Sequence, residues 1–480
     1  MKRVLFTALL VLLFSCGNDD DVLNAPDDLA VKDFMWKAMN LWYFWQAEIP
    51  NLADNKFTTD EAYTAFLRGE SNPEFFIRNL LFTEDRFTFW GEDYEVLINS
   101  LSGISRSDGL QYFLIDLTTD DTSNLFGFVR NVAPDSDAAQ KGMKRGDVFY
   151  AVDGEILNRA NYENLLFGDN VSYTLSLGEL DVVNRQVIQT NKKVALTKIE
   201  NFQENPIRLA TTLDINGQKI GYLMYRQFNA NFNSELNAVF GQFVADGVTD
   251  LVLDMRYNGG GDVNTSRLLA SMIYGKNKDE LYIRQRWNAK IQPRLSKEFL
   301  EDYFADELKN GEPLNSLNLS RVFVIGTNRT ASASELVMNG LDPYLDVIHI
   351  GDTTRGKNEF SISLVDDREN NYNYDPDRTS NINPANRWLI QPLVGRNENS
   401  VGFSDYTAGF IPDILLEEDI FNLGSFGDPN EPLLARAIEE ITGIISKKTQ
   451  KKASEAALQY REIETPVQEL MILDKPIILN

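Results

Sequence analysis

The sequence has one cysteine and one histidine in 480 residues. Cysteine is the residue that forms disulfide bonds, and histidine is common in active sites. A single cysteine excludes an internal disulfide bond, and a single histidine leaves one candidate for any site that needs an imidazole. Basic residues are also outnumbered, since 46 lysines and arginines face 71 aspartates and glutamates and leave a net charge of −25. That charge repels phosphate backbones, so the composition argues against nucleic-acid binding.

Long apolar runs are missing as well, because no segment after the first fifteen residues is apolar for long enough to cross a bilayer. Residues 1–15 combine two basic residues with a short leucine-rich run, a pattern typical of an export signal peptide. The stretch ending at Cys16 resembles a bacterial lipoprotein signal, which implies cleavage before Cys16 and a lipid on its thiol. A buried, unpaired Cys16 is the alternative. We expect the polar residues 16–28 to tether an exported lipoprotein to an outer membrane, facing the periplasm or the cell surface.

The length of the chain and its 43% of hydrophobic residues are enough for two to three domains. We predict a helical N-terminal domain at 29–98, in which Thr59 begins a helix, and a β-rich domain at 99–195. An α/β core is predicted at 196–446, followed by a charged tail at 447–480. The predicted fold class is therefore a multi-domain α/β protein.

Apolar segments in the predicted core alternate between two periodicities. Short runs typical of buried strands lie at 220–225, 251–254, 322–326 and 347–350. A helical face between the first two runs is formed by Leu236, Val239, Phe240, Phe243 and Val244. This alternation of strands and helices predicts the α/β class for the core.

The β-rich segment has turn residues whose spacing between 134 and 154 resembles that of a PDZ domain. In such a domain a peptide adds to a sheet edge as a strand, and loop amides bind its terminal carboxylate. The loop predicted to bind the peptide contains Gly109, Leu110 and Gln111. A β-rich spacer domain is the alternative, since turn glycines recur in many β folds.

Residues 351–360, GDTTRGKNEF, come within one residue of a phosphate-binding loop. Such a loop needs Ser or Thr after its lysine and then a helix whose N-terminus faces the phosphates. Here Asn358 follows Lys357, and the next residues alternate as in a strand, so nucleotide binding is disfavoured. A lysine shielded from water can instead lose its proton near neutral pH and act as a base. That role requires a nucleophile nearby.

A candidate nucleophile lies in residues 328–335, NRTASASE. The segment follows an apolar strand and precedes a helical stretch, so Ser332 would lie where helix amides and the helix dipole favour an oxyanion. The alternative is a capping box, with Ser332 as the N-cap and Glu335 three residues later. His349 lies inside an apolar strand and fits a core imidazole better than a member of a catalytic triad. If Ser332 is the nucleophile, its most economical base is Lys357.

A third motif is LVLDMRYNGGGDV at 251–263, a predicted strand followed by Asn258 and three glycines. Glycines let the backbone approach a reacting carbonyl closely and present an N–H group to an oxyanion. A tight turn between a strand and a helix is the alternative for this cluster taken alone.

Together these motifs resemble the C-terminal processing (tail-specific) peptidases, which are serine peptidases with a Ser/Lys dyad and a PDZ-like domain. The resemblance covers about residues 30–445. The matching stretches are LDMRYNGGG, TASASE and TTRGK, the PDZ-like segment, DRFTFW at 85–90 and YTAGFIPD at 406–413.

The resemblance implies roles for individual residues. Ser332 corresponds to the nucleophile and Lys357 to the general base. The amides of Ala333 and Gly260 correspond to the oxyanion donors, with Gly259 as the alternative to Gly260.

The sequence departs from the better-known members at one position. They carry a Gln four residues after the lysine, which orients the amine, whereas this chain has Ser361 there. Either the Ser361 hydroxyl or Gln391 is expected to take that role. The long polar loop at 366–387 is predicted to be solvated rather than to bind calcium.

We therefore expect an exported, lipid-anchored serine endopeptidase that cleaves polypeptides through an acyl-enzyme. Its substrates would be unfolded or extended polypeptides bound through their C-terminal ends, and no metal or organic cofactor is implied. The missing Gln motivates a second hypothesis, a peptide-binding lipoprotein on the same fold with weak or no catalysis. A β-lactamase-like enzyme is disfavoured because the chain has no S-x-x-K motif.

Overall fold

The structure is a computed structural model that describes residues 23–116, 124–181, 184, 186–444, 461–463, 470–473, 475, 477 and 479. The predicted signal peptide, Cys16 and much of the predicted tail lie outside these residues. Over the described part of the chain, no helix combines the length and the apolar character needed to span a bilayer.

The N-terminal region is helical, and its apolar side chains join the same hydrophobic cluster as the core. Thr59 begins the second helix, since its hydroxyl accepts a 3.2 Å hydrogen bond from the Ala62 N–H. The aromatic side chains of Phe34 and Trp42 in the first helix are fully buried. The elements of this region are α1 (Ala30–Trp42), α2 (Asp60–Arg68), α3 (Pro73–Arg78), β1 (Phe89–Gly91) and α4 (Tyr94–Leu101).

A β-rich region follows at the place where a PDZ-like domain is predicted, and we refer to it as the PDZ-like region after that prediction. Its elements are β2 (Ile104–Ser107), β3 (Leu110–Asp116), β4 (Leu125–Val132), α5 (Asp137–Gln140), β5 (Val148–Val152), β6 (Glu155–Ile156), α6 (Tyr162–Phe167), β7 (Ser172–Asp181), β8 (Gln186–Thr197) and β9 (Ile199–Gln203). The main sheet has the order β3-β4-β5-β7-β8 and is antiparallel, while β9 pairs back with β2. The predicted boundary at 195 therefore falls inside β8, and the region ends after β9.

The rest of the described chain up to residue 444 is built from alternating strands and helices. The strands are β10 (Ile207–Ile215), β11 (Gln218–Tyr225), β12 (Asp250–Asp254), β13 (Gly260–Asp262), β14 (Leu281–Trp287), β15 (Glu301–Tyr303), β16 (Arg321–Gly326), β17 (Asp346–Gly351), β18 (Glu359–Ser361), β19 (Leu389–Gln391), β20 (Leu393–Asn399) and β21 (Ile414–Leu415). The helices are α7 (Asn233–Asp246), α8 (Val263–Tyr274), α9 (Lys297–Leu300), α10 (Ala333–Leu341) and α11 (Pro432–Thr442).

Two sheets organise this core. The first has the order β10-β11-β12-β16-β17-β21 and is parallel from β11 onwards, with β10 antiparallel at its edge. Two short strands are described after residue 444, β22 (Arg461–Ile463) and β23 (Leu470–Ile472), and of these β23 belongs to the second sheet. Its order is β13-β23-β18-β20-β14-β15, whereas β22 pairs with β3 at the edge of the PDZ-like sheet. The predicted α/β, multi-domain fold class is confirmed.

The PDZ-like region and the core share a hydrophobic cluster. Phe113, Phe128 and Val148 from the PDZ-like sheet contribute to it together with Tyr222 and Ile325 from the first core sheet. Burial of these side chains removes apolar surface from water at about 25 cal/mol per Å². The two regions are therefore packed together rather than connected only by the chain.

Two predictions about the core differ from the structure. Val244 is 49% exposed, because it lies on the outer side of α7 while Leu236, Phe240 and Phe243 face the core. The loop at 366–387 is not simply solvated, since the Trp42 indole N–H donates to its Asn371 carbonyl at 2.7 Å. This loop holds the N-terminal helices against the core.

Candidate active site

The three sequence motifs follow three neighbouring parallel strands. The glycine motif follows β12, the serine motif follows β16 and the lysine motif follows β17, in the sheet order β12-β16-β17. The carboxyl ends of parallel strands lie at the same edge of a sheet, which is where α/β proteins bind ligands. The topology thus brings the three motifs to one edge.

Ser332 lies in the turn between β16 and α10. Its φ of 65° and ψ of −114° are rare for a residue with a side chain, and such strain costs about 1–3 kcal/mol. The side chain is fully buried, and its Oγ has no hydrogen-bond partner among the described residues. α10 begins at the next residue, so the Ser332 hydroxyl lies at the positive end of a helix.

Lys357 lies in the turn between β17 and β18. Its side chain is fully buried, and its Nζ is 5.1 Å from the centre of the Phe87 ring. Gly356 before it has a φ of +79°, and a Cβ there would come within 2.3 Å of the Thr407 carbonyl oxygen. The close approach of two backbone segments therefore requires a glycine beside the lysine.

One carboxylate joins the serine turn to the lysine turn. Oε2 of Glu335 accepts the Ser332 N–H at 2.8 Å and the Lys357 N–H at 2.9 Å. Its Oε1 accepts the Gly356 N–H at 2.7 Å and the Thr354 hydroxyl at 2.6 Å. Because the two amides share a single oxygen atom, the backbones of Ser332 and Lys357 lie side by side.

The predicted capping box explains only part of this arrangement. Glu335 does bond the N-cap amide of Ser332, as a capping box requires. The Ser332 hydroxyl faces the Glu335 N–H, so both halves of the predicted box are present, but its Oγ is not in hydrogen-bond geometry and has no partner among the described residues. The glutamate therefore fixes the turn while the hydroxyl makes no hydrogen bond.

Burial raises the pKa of Glu335 to about 7, although hydrogen bonds from Thr354, Lys357, Ser332 and Gly356 act in the opposite direction. The carboxylate form has enough lone pairs for all four donors. Protonation removes one acceptor position, so the turn loses a hydrogen bond when the pH falls below this value.

The glycine motif is tied to the serine turn through Asn258. Its carbonyl oxygen accepts both the Ala331 N–H and the Ser334 hydroxyl at 3.0 Å. Ser334 therefore positions the turn. The side-chain Oδ1 of Asn258 accepts the Gly260 N–H at 2.9 Å, so one of the predicted oxyanion donors is already bonded.

The remaining candidate oxyanion donors are two backbone amides. Within the described residues, neither the Ala333 N–H nor the Gly259 N–H donates to a protein acceptor. Ala333 is the first residue of α10, so its amide points out of the helix end. The geometry thus favours Gly259 over Gly260 as the partner of Ala333.

The two residues considered as replacements for the missing Gln are bonded to each other. The Gln391 side-chain amide donates to the Ser361 Oγ at 3.2 Å, and its oxygen accepts the Ser363 hydroxyl at 2.9 Å. Ser361 in turn donates to the Met471 carbonyl at 3.2 Å. Both side chains are buried, and these contacts do not identify either one as the group that orients the lysine.

The predicted peptide loop of the PDZ-like region uses its own amides. The Gly109 N–H donates to the Ser107 Oγ at 3.0 Å, and the Leu110 N–H donates to the Asp108 Oδ1 at 2.9 Å. The Gln111 side chain donates to a Glu204 carboxylate oxygen. With a buried carboxylate already at these amides, the loop is poorly suited to bind a terminal carboxylate.

The remaining residues considered for a functional role are either not part of this site or lie outside the described residues. His349 is buried in β17, and burial lowers its pKa to about 4, so its imidazole is neutral. Cys16 lies outside the described residues, so the structure gives no account of it. In the part of the chain that the structure describes, no cluster of His, Cys, Asp and Glu could hold a metal ion.

Sequence reasoning missed the contribution of the N-terminal region to this site. Arg86 donates to the carbonyls of Gly356 and Thr407, so it joins the lysine turn to the segment at 406–413. Phe87 lies next to the Lys357 amine. The DRFTFW stretch could be recognised by its resemblance to the family, but nothing in the sequence indicated that it would lie beside the lysine turn.

The fold and the three turns define the class of α/β proteins with a serine peptidase fold. Residues 219–380 match peptidase family S41, and residues 30–89 match the N-terminal domain of the same family. A crystal structure assigned to an S41 protease of Bacteroides fragilis has a TM-score of 0.68 and 25% identity, over 86% of this chain and 97% of that one. The chain is therefore similar to peptidase family S41 in both its N-terminal helical region and its core.

The relatives with curated names are C-terminal processing peptidases. The chloroplastic enzyme of Tetradesmus obliquus is 27% identical over 263 residues, 51% of this chain and 50% of that protein. The carboxyl-terminal-processing protease of Picosynechococcus is 26% identical over 237 residues, 47% of this chain and 49% of that protein. This chain thus spans about half the length of the curated relatives it matches.

Proposed function

We propose that the protein is a serine endopeptidase that cleaves unfolded or extended polypeptides, which it engages through their C-terminal ends. Ser332 is the nucleophile and Lys357 the general base in this proposal. The observation that carries it is the shared Glu335 oxygen, Oε2, which accepts the Ser332 N–H at 2.8 Å and the Lys357 N–H at 2.9 Å. Similarity to the family and the name of the relatives as C-terminal processing peptidases support the same reaction.

The chemistry has two steps. The amine of Lys357 takes the Ser332 hydroxyl proton as Oγ attacks the scissile carbonyl, and the proton passes to the leaving amine. Water then hydrolyses the ester and frees Ser332. The side chains of Ser332 and Lys357 are both fully buried, so the proposed proton transfer would take place away from bulk water.

The developing oxyanion requires hydrogen-bond donors. The Ala333 N–H at the start of α10 and the Gly259 N–H are proposed for this role, aided by the helix dipole. Loss of one oxyanion donor in a serine peptidase costs about 10²–10³ in rate.

The proposal is tested by digestion of a disordered protein with the purified protein lacking residues 1–16. We expect Ser332→Ala and Lys357→Ala to abolish cleavage while the far-UV spectrum and the unfolding midpoint are retained. Ser334→Ala is the control, because that hydroxyl only bonds the Asn258 carbonyl and its loss should leave cleavage detectable. Cleavage by Ser332→Ala at the parent rate would refute the assignment.

A peptide-binding protein without catalysis is the second candidate function, because Ser361 stands where better-known members have Gln. It predicts binding of an extended peptide without any covalent product. A mass shift at Ser332 after treatment with a peptide aldehyde or fluorophosphonate excludes it.

We also propose that the protein is an exported lipoprotein, anchored through Cys16 with its folded part in the periplasm or at the cell surface. The support is the sequence of residues 1–16. Metabolic labelling with an alkyne fatty acid should modify the parent protein and not Cys16→Ser. Labelling of both proteins to the same extent would contradict the anchor.

A further inference from the structure

Two described strands that follow residue 444, β22 and β23, each add to a sheet built from earlier parts of the chain. The first, β22, is a strand at the edge of the PDZ-like sheet. The second, β23, is a strand inside the second core sheet, beside the glycine motif. Each of these strands comes from a part of the chain that lies far, in sequence, from the other strands of the sheet it joins.

β22 extends the PDZ-like sheet in the way that a bound peptide does. It pairs antiparallel with β3, with Glu462 opposite Ile115 and Ile463 opposite Leu114. Addition of a strand at a sheet edge is the binding mode of PDZ ligands. The Glu462 side chain also forms an ion pair with Arg329, in the turn that leads to Ser332.

β23 fills the space between two strands that do not pair with each other. On one side it runs parallel to β13, with Leu470 opposite Gly260 and Met471 opposite Gly261. On the other side Ile472 pairs with Ser361 of β18, the strand that begins two residues after Lys357. The strand therefore lies between the glycine motif and the lysine strand.

Side-chain and backbone contacts hold β23 in this slot. The Met471 side chain is fully buried and Leu473 is 8% exposed, and both belong to the main hydrophobic cluster. The Leu473 N–H donates to the Ser361 carbonyl at 3.1 Å. Farther along, the Lys475 amine bonds the Asp302 carboxylate at 3.1 Å.

Removal of β23 would leave the facing edges of β13 and β18 without strand partners. Unpaired edges of this kind accept any extended chain through backbone hydrogen bonds, while pockets for alternate side chains give specificity. The slot is bordered by Gly260 and Ser361, next to the candidate oxyanion turn and the lysine strand.

We propose that β22 and β23 act as an internal pseudosubstrate that competes with polypeptide substrates, β22 for the β3 edge and β23 for the β13–β18 slot. This inference rests on the proposed function. It also specifies the substrate class, an extended segment that runs antiparallel to β3, enters the slot parallel to β13, and carries buried apolar side chains in the positions of Met471 and Leu473. Because the competitor is attached to the enzyme, its effective concentration is of millimolar order.

The first test compares cleavage of a disordered protein by the full chain and by a chain ending at residue 460. We expect the truncation to lower the apparent KM by at least about tenfold, with a smaller change in kcat. Met471→Asp in the full chain should have the same effect, because a carboxylate is not tolerated at this buried position. Val401→Asp is the matched control, since that side chain is 75% exposed on a turn of the core. An unchanged KM in a folded Met471→Asp protein would overturn the proposal.

The second test measures binding without catalysis. A fluorescent synthetic peptide of residues 461–479 is titrated into the truncated chain carrying Ser332→Ala, and its anisotropy is followed. We expect saturable binding, and at least about tenfold weaker binding of the same peptide with Met471→Asp. Equal or absent binding of both peptides would overturn the inference.

The two tests separate the inference from the proposed function. If the truncated chain binds the peptide but neither chain cleaves protein or reacts with a fluorophosphonate, the segment occupies the peptide path of a non-catalytic protein. In that case the proposed peptidase function is wrong, but the inference that the segment occupies the peptide-binding path is supported. If cleavage depends on Ser332 but is insensitive to the truncation, the function stands and the pseudosubstrate is wrong.

Discussion

At the scale of single residues, Glu335 has the most influence on the geometry of the site. It is fully buried and accepts four hydrogen bonds, two from the serine and lysine turns on one oxygen and two from the lysine turn on the other. Read from the sequence, this glutamate is a helix-capping residue. In the structure it also joins the backbone of the serine turn to that of the lysine turn.

Glu335→Gln should slow acylation of Ser332 by about 10–100-fold, because the amide group turns an N–H donor towards at least one backbone N–H. One buried unsatisfied group costs about 1–3 kcal/mol, which corresponds to that range. The measurement is the rate of fluorophosphonate labelling by intact mass. Glu301→Gln, a buried carboxylate in β15 at the far edge of the second sheet, should label at nearly the parent rate. Equal rates for both variants would show that Glu335 does not position the site.

The pH dependence of stability provides a second test of Glu335. Its pKa is raised from 4.5 to about 7 in the folded protein, so the folded state binds more protons than the unfolded state between these values. Stability from this group is therefore present below pH 4.5 and is lost as the pH rises to about 7, a change of about 3 kcal/mol. The parent unfolding free energy minus that of Glu335→Gln should fall across this window in urea titrations. A difference that rises or stays constant would contradict the assignment.

At the scale of elements, the site depends on turns that approach each other more closely than side chains allow. The lysine turn and the segment at 406–413 exchange backbone contacts, including a 3.1 Å bond from the Thr354 N–H to the Phe410 carbonyl. Gly409 is packed as tightly as Gly356, since a Cβ there would lie 2.0 Å from the Thr354 oxygen. These two glycines couple the lysine to the end of the core.

Gly356→Ala should destabilise the protein by more than Gly217→Ala and should reduce cleavage strongly. Both glycines have positive φ, 79° and 89°, so both substitutions carry the same backbone strain of about 1 kcal/mol. Only at Gly356 does the new Cβ meet backbone, whereas at Gly217 nothing lies within 4 Å. Unfolding midpoints and specific activities of the two variants give the comparison. Equal loss in both would mean that strain alone, and not the close approach, matters at Gly356.

Much of this arrangement of elements can be predicted from the sequence. The apolar runs at 251–254, 322–326 and 347–350 are strands because they are short, buried on both faces and bounded by turn residues. Their adjacency follows from the rules of α/β sheets. The pairing of β22 with β3 and of β23 with β13 could not be predicted, because each joins segments more than a hundred residues apart without any local pattern.

The same limit applies within the site. Ser332 and Lys357 stand out through motif and resemblance, but the engagement of the Gly260 amide by Asn258 depends on a side-chain orientation. The contact of Phe87 with Lys357 joins residues 270 positions apart and has no signature in either motif. Long-range contacts of this kind are decided by packing rather than by local propensity.

At the scale of the whole molecule, a buried ionic network connects the PDZ-like region to the core. Arg145 donates to the Tyr257 hydroxyl at 2.8 Å and to the Glu418 carboxylate at 2.5 Å. Burial alone would raise the pKa of Glu418, but Arg145 and Arg256 hold it below its ordinary value. Tyr257 lies directly before the Asn258 turn, so this contact reaches the glycine motif.

Arg145→Ala should loosen the PDZ-like region and lower the unfolding free energy by about 3–5 kcal/mol, the usual cost of breaking a buried ion pair. Lys192→Ala in the same region removes an exposed, solvent-screened pair with Glu179 and should change the unfolding free energy far less. Urea unfolding gives the energies, and hydrogen exchange in β4 and β5 reports the loosening. A cost for Arg145→Ala no greater than for Lys192→Ala would contradict a structural role for the network.

The central claim is that the Ser332 hydroxyl is activated by the Lys357 amine. It is tested most directly by the rate of covalent labelling of Ser332 with a fluorophosphonate, followed by intact mass and peptide mapping. The account predicts a single adduct on Ser332 in the parent protein and at least about 10²-fold slower labelling of a folded Lys357→Ala variant. An adduct elsewhere, or equal labelling of the parent and Lys357→Ala, would contradict it.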